Sequence, residues 1–226
     1  MSISDKLKKA AAVTADVIAP NRCPCCGKFI KWDALLCIGC ENSLEPMSSS
    51  IAEIPEGCIC AEAALWYKGK ARQGIYTLKE GFGKNYAVYA ASLLRERLDG
   101  GADLITCVPS RLKRGSLSVR GHAETFAREL SKALGIPCDT GVLVRKKTRI
   151  KQHELTAAER AEFAKGLYYL RDKDYRLDGK RILLADDVLT TGATMSVCAK
   201  LLLACGAESV TAVTICRTPL EKEGNV

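Results

Sequence analysis

Residues 181–194 read Arg-Ile-Leu-Leu-Ala-Asp-Asp-Val-Leu-Thr-Thr-Gly-Ala-Thr, an apolar run that ends in two carboxylates and passes into a hydroxyl-rich turn. The run 181–185 has the composition of a short buried strand, while Met195, Cys198, Leu201 and Leu202 recur at helical spacing until Gly206. The turn between them therefore opens onto a helix N-terminus. Unpaired backbone N–H groups there, the helix dipole and the hydroxyls of Thr190, Thr191 and Thr194 make a cradle for a phosphate dianion. Gly192 lets the backbone approach such a ligand closely. Asp186 and Asp187 would repel the phosphate itself, so their place is to accept hydrogen bonds from hydroxyls further along the same ligand. A phosphorylated ribose has that polarity. The same residues could instead form an ordinary strand end with a threonine-capped helix. Sugar binding requires carboxylates that are not locked in buried ion pairs, and a bend that faces outward.

A second constellation lies near the N-terminus. Cys23-Pro-Cys25-Cys26 and Cys37-Ile-Gly-Cys40 are two C-x-x-C knuckles separated by ten residues, and four thiolates at that spacing can close around one tetrahedral ion. Zinc suits such a sulfur set, and four thiolates leave no open position, so the site reads as structural, with Cys23, Cys26, Cys37 and Cys40 as ligands. Cys25 competes with its neighbours for a place, and Cys58 and Cys60 could be spare ligands. A redox pair or unligated thiols are the alternatives. A segment this poor in other apolar residues would draw its folding free energy from the metal.

The 226 residues, 47% of them apolar, suffice for one α/β domain with a small appendage. Five of the twelve cysteines crowd between Cys23 and Cys40, a pattern that favours a metal site in a reducing compartment, and hence a cytoplasmic chain, over a disulfide scaffold. Residues 1–20 imitate a secretion signal, but Asp16 interrupts the Ala-rich run, and they read as an amphipathic helix. No segment approaches the roughly 20 apolar residues needed for membrane insertion. The net charge of +8 is unevenly placed: residues 111–151 hold eleven Lys/Arg against three Asp/Glu, as large an excess as that of the whole chain. That stretch suits a polyanion, whether a diphosphate or a nucleic-acid backbone, or is a solvated basic face.

The elements that must position these groups follow from periodicity. Residues 1–45 read as an N-terminal helix and metal module, 46–60 as a linker by their Pro, Ser and Gly content, and 61–226 as the main domain. Ala63 to Tyr67 reads as strand, Arg72 to Glu80 and Asn85 to Leu98 as helices, Leu104 to Val108 as strand, and the stretch from Ala123 to Leu134 as helix. Gly141 to Arg145 is a further strand candidate, and Thr156-x-x-Glu159 a capping box that starts a short helix. The strand at 181–185, the helix at 194–205 and the strand Ser209 to Cys216 complete an alternation that requires an open parallel sheet with its site at the strands' carboxyl ends.

The segment at 186–194 closely resembles the 5-phosphoribosyl-1-pyrophosphate (PRPP) motif of type I phosphoribosyltransferases. That resemblance implies an α/β fold of type I phosphoribosyltransferase-like open parallel sheet with flanking helices, to which the cysteine spacing adds a small N-terminal four-cysteine zinc-binding module. It assigns the ribose hydroxyls to Asp186 and Asp187, also the implied catalytic pair. The 5′-phosphate goes to the loop, so that Val188, Leu189, Thr190, Thr191, Gly192, Ala193 and Thr194 complete the PRPP site. Val108-Pro109-Ser110-Arg111-Leu112-Lys113-Arg114-Gly115 then matches the pyrophosphate loop, with Ser110, Arg111, Lys113 and Arg114 facing the leaving group. The flexible loop falls at Lys146 to Lys165, with Lys147, Arg149, Lys151 and His153, the last either an acid–base group or a solvated histidine. Mg²⁺ is expected to arrive with PRPP.

Together with the cysteine knuckles, Arg120-Gly121, Arg145-x-x-Thr148-x-x-x-Gln152-x-x-Leu155-x-x-x-Glu159-Arg160 and the motif at 186–194 resemble the ComF family of competence proteins. His122, Ala123 and Glu124 stand where that family usually has an aromatic, Asn and Gln. The resemblance implies an association with DNA uptake and phosphoribosyl transfer to an unassigned amine or nucleobase. The alternatives are a zinc-bearing adaptor that binds single-stranded DNA or a DNA-uptake helicase through the basic 111–151 surface, and a PRPP-sensing regulator. That stretch contains a single aromatic, Phe126, on a helix core face, which favours PRPP over DNA as the direct ligand. No G-x-x-x-x-G-K-[ST] loop occurs, so the chain is not itself a motor. A homodimer is left open by the sequence.

Overall fold

The computed structural model describes residues 20–98, 101–110, 121–146, 166–172 and 174–219. Four strands, β1 (Cys60–Trp66), β2 (Leu104–Cys107), β5 (Arg181–Leu189) and β6 (Ser209–Arg217), form one all-parallel sheet in the order β1-β6-β5-β2. Parallel strands need a covered crossover, and buried apolar runs such as 182–185 are the corresponding signature. The helices α2 (Gly69–Lys79), α3 (Lys84–Leu94) and α4 (His122–Leu134) cover one face, and α5 (Ala193–Ala204) the other. The only earlier helix among the described residues, α1 (Ile38–Glu41), belongs to the cysteine module.

Alternation along β5 serves both cores. Leu183 and Ala185 join the α2–α4 side, with Ile75, Tyr86, Leu94, Phe126 and Leu130, and Ile182 and Leu184 join the α5 side, with Met195, Cys198 and Leu202. Cys23, Cys25, Leu36, Cys40 and Leu44 belong to the first of these cores, so the cysteine module has no separate interior. Residues 45–51, at the start of the stretch with linker composition, run along the outer edge of β1. Trp66 N–H donates to the Glu45 carbonyl at 3.0 Å, Met47 N–H to Ala64 at 3.0 Å and Ile51 N–H to Ala61 at 2.8 Å. Met47 and Ile51 are buried.

Two elements differ from expectation. The candidate strand at 141–145 forms as β3 (Leu143–Arg145), paired antiparallel with β4 (Tyr168–Leu170) in a separate two-stranded sheet. After a single parallel bridge between Ile105 and Cys138, Asp139 Oδ1 accepts the Gly141 N–H at 2.8 Å, and this turn directs the chain off the main sheet. In addition, β5 continues four residues past Ala185, because β6 is equally long and pairs with it through Asp186↔Thr214 to Leu189↔Arg217. The helix expected over residues 1–20 and the one at the 156–159 capping box lie outside the described residues.

A glycine on α2 decides how tightly the helices nest. A Cβ on Gly74 would stand 2.6 Å from the Tyr86 ring, so only a bare Cα admits that fully buried ring, whose hydroxyl donates to the Ala71 carbonyl at 3.2 Å.

Candidate functional site

At the carboxyl end of β5, strand alternation turns Asp186 and Asp187 to opposite sides. Asp187, only 6% exposed, faces the α2–α4 side. Its Oδ2 lies 2.8 Å from Lys79 Nζ, at the end of α2, and 3.7 Å from His122 Nε2, at the start of α4. Asp186 is half-buried on the α5 side, and its Oδ1 accepts the Asp187 N–H at 2.8 Å. One oxygen of each carboxylate and a ring nitrogen of His122 all lie within 4.8 Å of one another.

The electrostatics separate the two acids. Burial and the neighbouring Asp187 charge push the Asp186 carboxyl well above the usual carboxylate range. Burial pushes Asp187 in the same direction, but His122 and Lys79 outweigh it and hold that carboxyl below its ordinary value. Burial alone would lower Lys79, and the Asp187 and Asp186 charges reverse this, keeping its ammonium above the ordinary lysine value. Asp187 is thus the ionised partner of a partly exposed lysine, and Asp186 the half-buried acid on the α5 side.

The bend beyond β5 has the expected form. Gly192 is the N-cap of α5 with φ 76°, a left-handed conformation that favours glycine, and it offers no side-chain cap. The first-turn N–H groups of α5 are therefore left for solvent or a ligand. Thr190 and Thr191 are exposed, Ala193 and Thr194 half-buried, and Val188 and Leu189 pack into the cores. A Cβ at Gly192 would meet the Pro55 side chain at 3.2 Å, so residues from the 46–60 stretch back the loop. Of the conditions that sugar binding sets, the threonines of the bend are exposed and Asp186 is half-buried, whereas Asp187 is committed to an ion pair with Lys79.

Ser110 Oγ lies 3.2 Å from His122 Nε2. Serine, histidine and aspartate thereby meet, but Ser110 and Asp187 face the same ring nitrogen. A hydrolytic triad needs the two on different nitrogens, so this is not one. The remaining residues expected to face pyrophosphate, Arg111, Lys113 and Arg114, and those of the expected flexible loop, Lys147, Arg149, Lys151 and His153, lie outside the described residues.

The cysteine cluster gathers Cys23, Cys26, Cys37 and Cys40, with one sulfur of each within 4.8 Å of the others. Sulfurs around a tetrahedral Zn²⁺ at about 2.3 Å stand about 3.8 Å apart. Cys26 Sγ and Cys37 Sγ are 3.7 Å apart, so the cluster fits such an ion and could hold it. A hydrogen bond from the Cys40 backbone N–H leads the influences that bring Cys37 down to about 7, toward the thiolate a metal requires. All twelve cysteines are free. Cys25 points into the core, where burial pushes its thiol up to about 12, and it stays out of the cluster, as do Cys58 and Cys60.

Sequence reasoning missed Lys79, Arg217 and the role of His122. The His122 departure from the family pattern was visible, but no local spacing marks Lys79 or Arg217, whose positions come from long-range register. Among the described residues, no helix is long and apolar enough to cross a membrane.

Residues 117–224 match the family described as phosphoribosyl transferase domain. The DNA utilization protein YhgH of Escherichia coli K12 is 30% identical over 116 residues, which cover 51% of this chain and 50% of that protein. Competence protein F of Haemophilus influenzae is 32% identical over 93 residues, covering 40% of this chain and 41% of that protein. This chain therefore spans about half the length, or less, of the curated relatives it matches. Among solved structures, a purine phosphoribosyltransferase from Pyrococcus horikoshii superposes with a TM-score of 0.37 at 21% identity, over 59% of this chain and 82% of that one.

Proposed function

Proceeding from a chain that carries a phosphoribosyl transferase domain and is homologous to competence protein F and the YhgH DNA utilization proteins, we propose that it binds PRPP at Asp186–Thr194 and transfers the phosphoribosyl group to an amine or nucleobase nitrogen. The observation that carries this reading is the junction of β5 and α5. There a half-buried Asp186 lies beside an uncapped helix N-terminus flanked by the exposed hydroxyls of Thr190 and Thr191. The loop N–H groups hold the 5′-phosphate and Asp186 accepts from the ribose hydroxyls. In the transfer, the acceptor nitrogen forms a bond to C1 and the C1–O bond to diphosphate breaks. Diphosphate leaves with the electron pair, and the nitrogen's proton passes to solvent.

Negative charge that grows on the leaving group calls for cations. Ser110 and the basic residues Arg111, Lys113 and Arg114 supply one side in this reading, and Lys147, Arg149, Lys151 and His153 close over the other. Mg²⁺ bound with PRPP would neutralise diphosphate charge. A cytoplasmic location fits the free cysteines, and a place in DNA uptake follows the names of the relatives. A screen for diphosphate release from PRPP across amines and nucleobases tests activity and acceptor together. Unchanged PRPP and no thermal shift with PRPP and Mg²⁺ would sink the reading.

A second reading has its own observation. A cleft of about 1020 Å³ between the cysteine module and α2–α3 is lined by Arg22, Lys70, Lys84 and Phe82, with no carboxylate among its lining residues. Phe82 is 69% exposed, and Phe29, also 64% exposed, carries the Arg22 guanidinium 4.0 Å from its ring centroid. Exposed rings beside cations are what a single nucleic-acid strand stacks on. An adaptor that holds single-stranded DNA, alone or with a helicase partner, would use this face rather than the 111–151 stretch. Anisotropy of a labelled oligonucleotide tests it: F82A and K70Q should weaken binding severalfold, while unchanged affinity would remove this reading.

A further inference from the structure

Lys79 reaches the acidic pair from a helix that two contacts hold in place. Thr77 Oγ1, two residues earlier, donates to the Pro24 carbonyl of the cysteine module at 2.7 Å, and Gly74 lies against the Tyr86 ring. The ammonium therefore arrives at Asp187 Oδ2, at 2.8 Å, from a fixed direction, and it sits on the side of the sheet away from Asp186. An ammonium at that distance occupies one of the directions from which a divalent cation would approach the same oxygen. His122 borders the same oxygen at 3.7 Å.

We propose that Lys79 is a positioning residue that serves as the site's built-in cation. It turns Asp187 inward, leaves the Asp186 carboxyl as the group presented to the sugar, and lets the site bind a pentose 5-phosphate without a bridging divalent cation. The inference rests on the phosphoribosyl reading of the same site and deepens it. The pentose-phosphate half of the ligand is recognised by the protein alone, and a divalent cation is left to the diphosphate half. Without Lys79, Asp187 would keep the more distant His122, at 3.7 Å, and the acidic pair would need an external cation before a sugar hydroxyl could settle beside it.

Calorimetric titration of the full chain with ribose 5-phosphate, in magnesium-free buffer and in Mg²⁺, tests this. Chelators are omitted because they would draw on the cysteine cluster. The wild-type chain should bind with the same affinity in both buffers. K79M should lose about tenfold or more without Mg²⁺ and regain much of it with Mg²⁺, and K79R should stay near wild type. A wild-type affinity that falls about tenfold when Mg²⁺ is withdrawn would overturn the proposal, as would K79M binding unchanged in magnesium-free buffer. The wild-type comparison needs no variant, so it can overturn the proposal even if K79M does not fold, and K79R then reads the role of the side chain. Absence of binding by both ribose 5-phosphate and PRPP in both buffers is a different failure, which removes the phosphoribosyl site itself.

Discussion

Arg217, the last residue of β6, donates through Nη1 to the Leu189 carbonyl at 3.3 Å and to the Thr190 carbonyl, which ties the end of one strand to the first residue of the loop beyond its neighbour. The side chain is buried, with Nη2 at 3.4 Å from Glu53. A guanidinium has enough donors to satisfy both carbonyls and the carboxylate at once, which a lysine could not do with the same fixed geometry.

Replacing Arg217 with Met should take the guanidinium donor from the Thr190 carbonyl and loosen the bend, while the Leu189 carbonyl keeps the Thr218 N–H at 3.0 Å. The expected cost is about 1–3 kcal/mol of stability, with faster amide exchange at Thr190 and Thr191 than at the core of β5. Exchange that stays at wild-type rates in the loop would show that the bend holds itself.

Asp186 and Asp187 should respond to neutralisation with opposite signs. A raised carboxyl keeps its proton in the native state where the unfolded chain releases it near pH 4, so ionised Asp186 weighs against the fold above its native pKa. D186N should therefore stabilise at pH 7 by about 1 kcal/mol, or roughly 2–4 °C, a gain that vanishes below about pH 4.

Asp187 is depressed, so its contribution is full above the unfolded value near 4 and is lost as pH falls through the lower native value. D187N leaves a partly exposed Lys79 without its partner and, discounted for that exposure, should cost about 1–2 kcal/mol at pH 7. Thermal melts of both variants from pH 3 to 8 check the pair, and shifts of the same sign at neutral pH would refute the division of roles.

Metal removal should be felt beyond the cysteine module, because Cys23, Cys25, Leu36 and Leu44 share a core with Tyr86 and Leu94. C37S should lose one metal ion per chain and lower the main melting transition by roughly 10 °C, as expected when several kcal/mol of metal-linked folding energy are lost. Calorimetry with metal analysis reads both. A main transition unmoved by metal loss would mean that the module melts on its own.

Gly74→Ala places a methyl group inside the Tyr86 ring contact at 2.6 Å, where neither α2 nor α3 has room to yield cheaply. A loss of about 1–3 kcal/mol is expected by denaturant titration. Because α2 carries Lys79, the same variant should weaken ribose 5-phosphate binding more than an exposed α2 change such as Gln73→Ala.

Most of the elements were legible in the sequence, since period and punctuation act over a few residues. The helix at 122–134 is bracketed by Gly121 and by Gly135 with φ 72°, and the strand-turn-helix at 181–204 follows from its apolar run and Gly192. The four cysteines are close in sequence and close in space for the same reason. The antiparallel β3–β4 pair was not legible, because its partner strand lies across a stretch that carries no pairing signal. Nor was the length of β5, which depends on β6.

By itself, the chain's local order determined an α/β sheet, a phosphate-compatible bend next to two acids, and a four-sulfur cluster. Only the tertiary structure decided that the acids differ, with Asp187 drawn inward to Lys79 and His122 and Asp186 half-buried on the other side. Alternation along a strand separates neighbouring side chains, but which of them meets a cation depends on helices that arrive from far along the chain. Their positions are set by packing, as with Tyr86 on Gly74 and Pro24 on Thr77, and no short-range pattern encodes it.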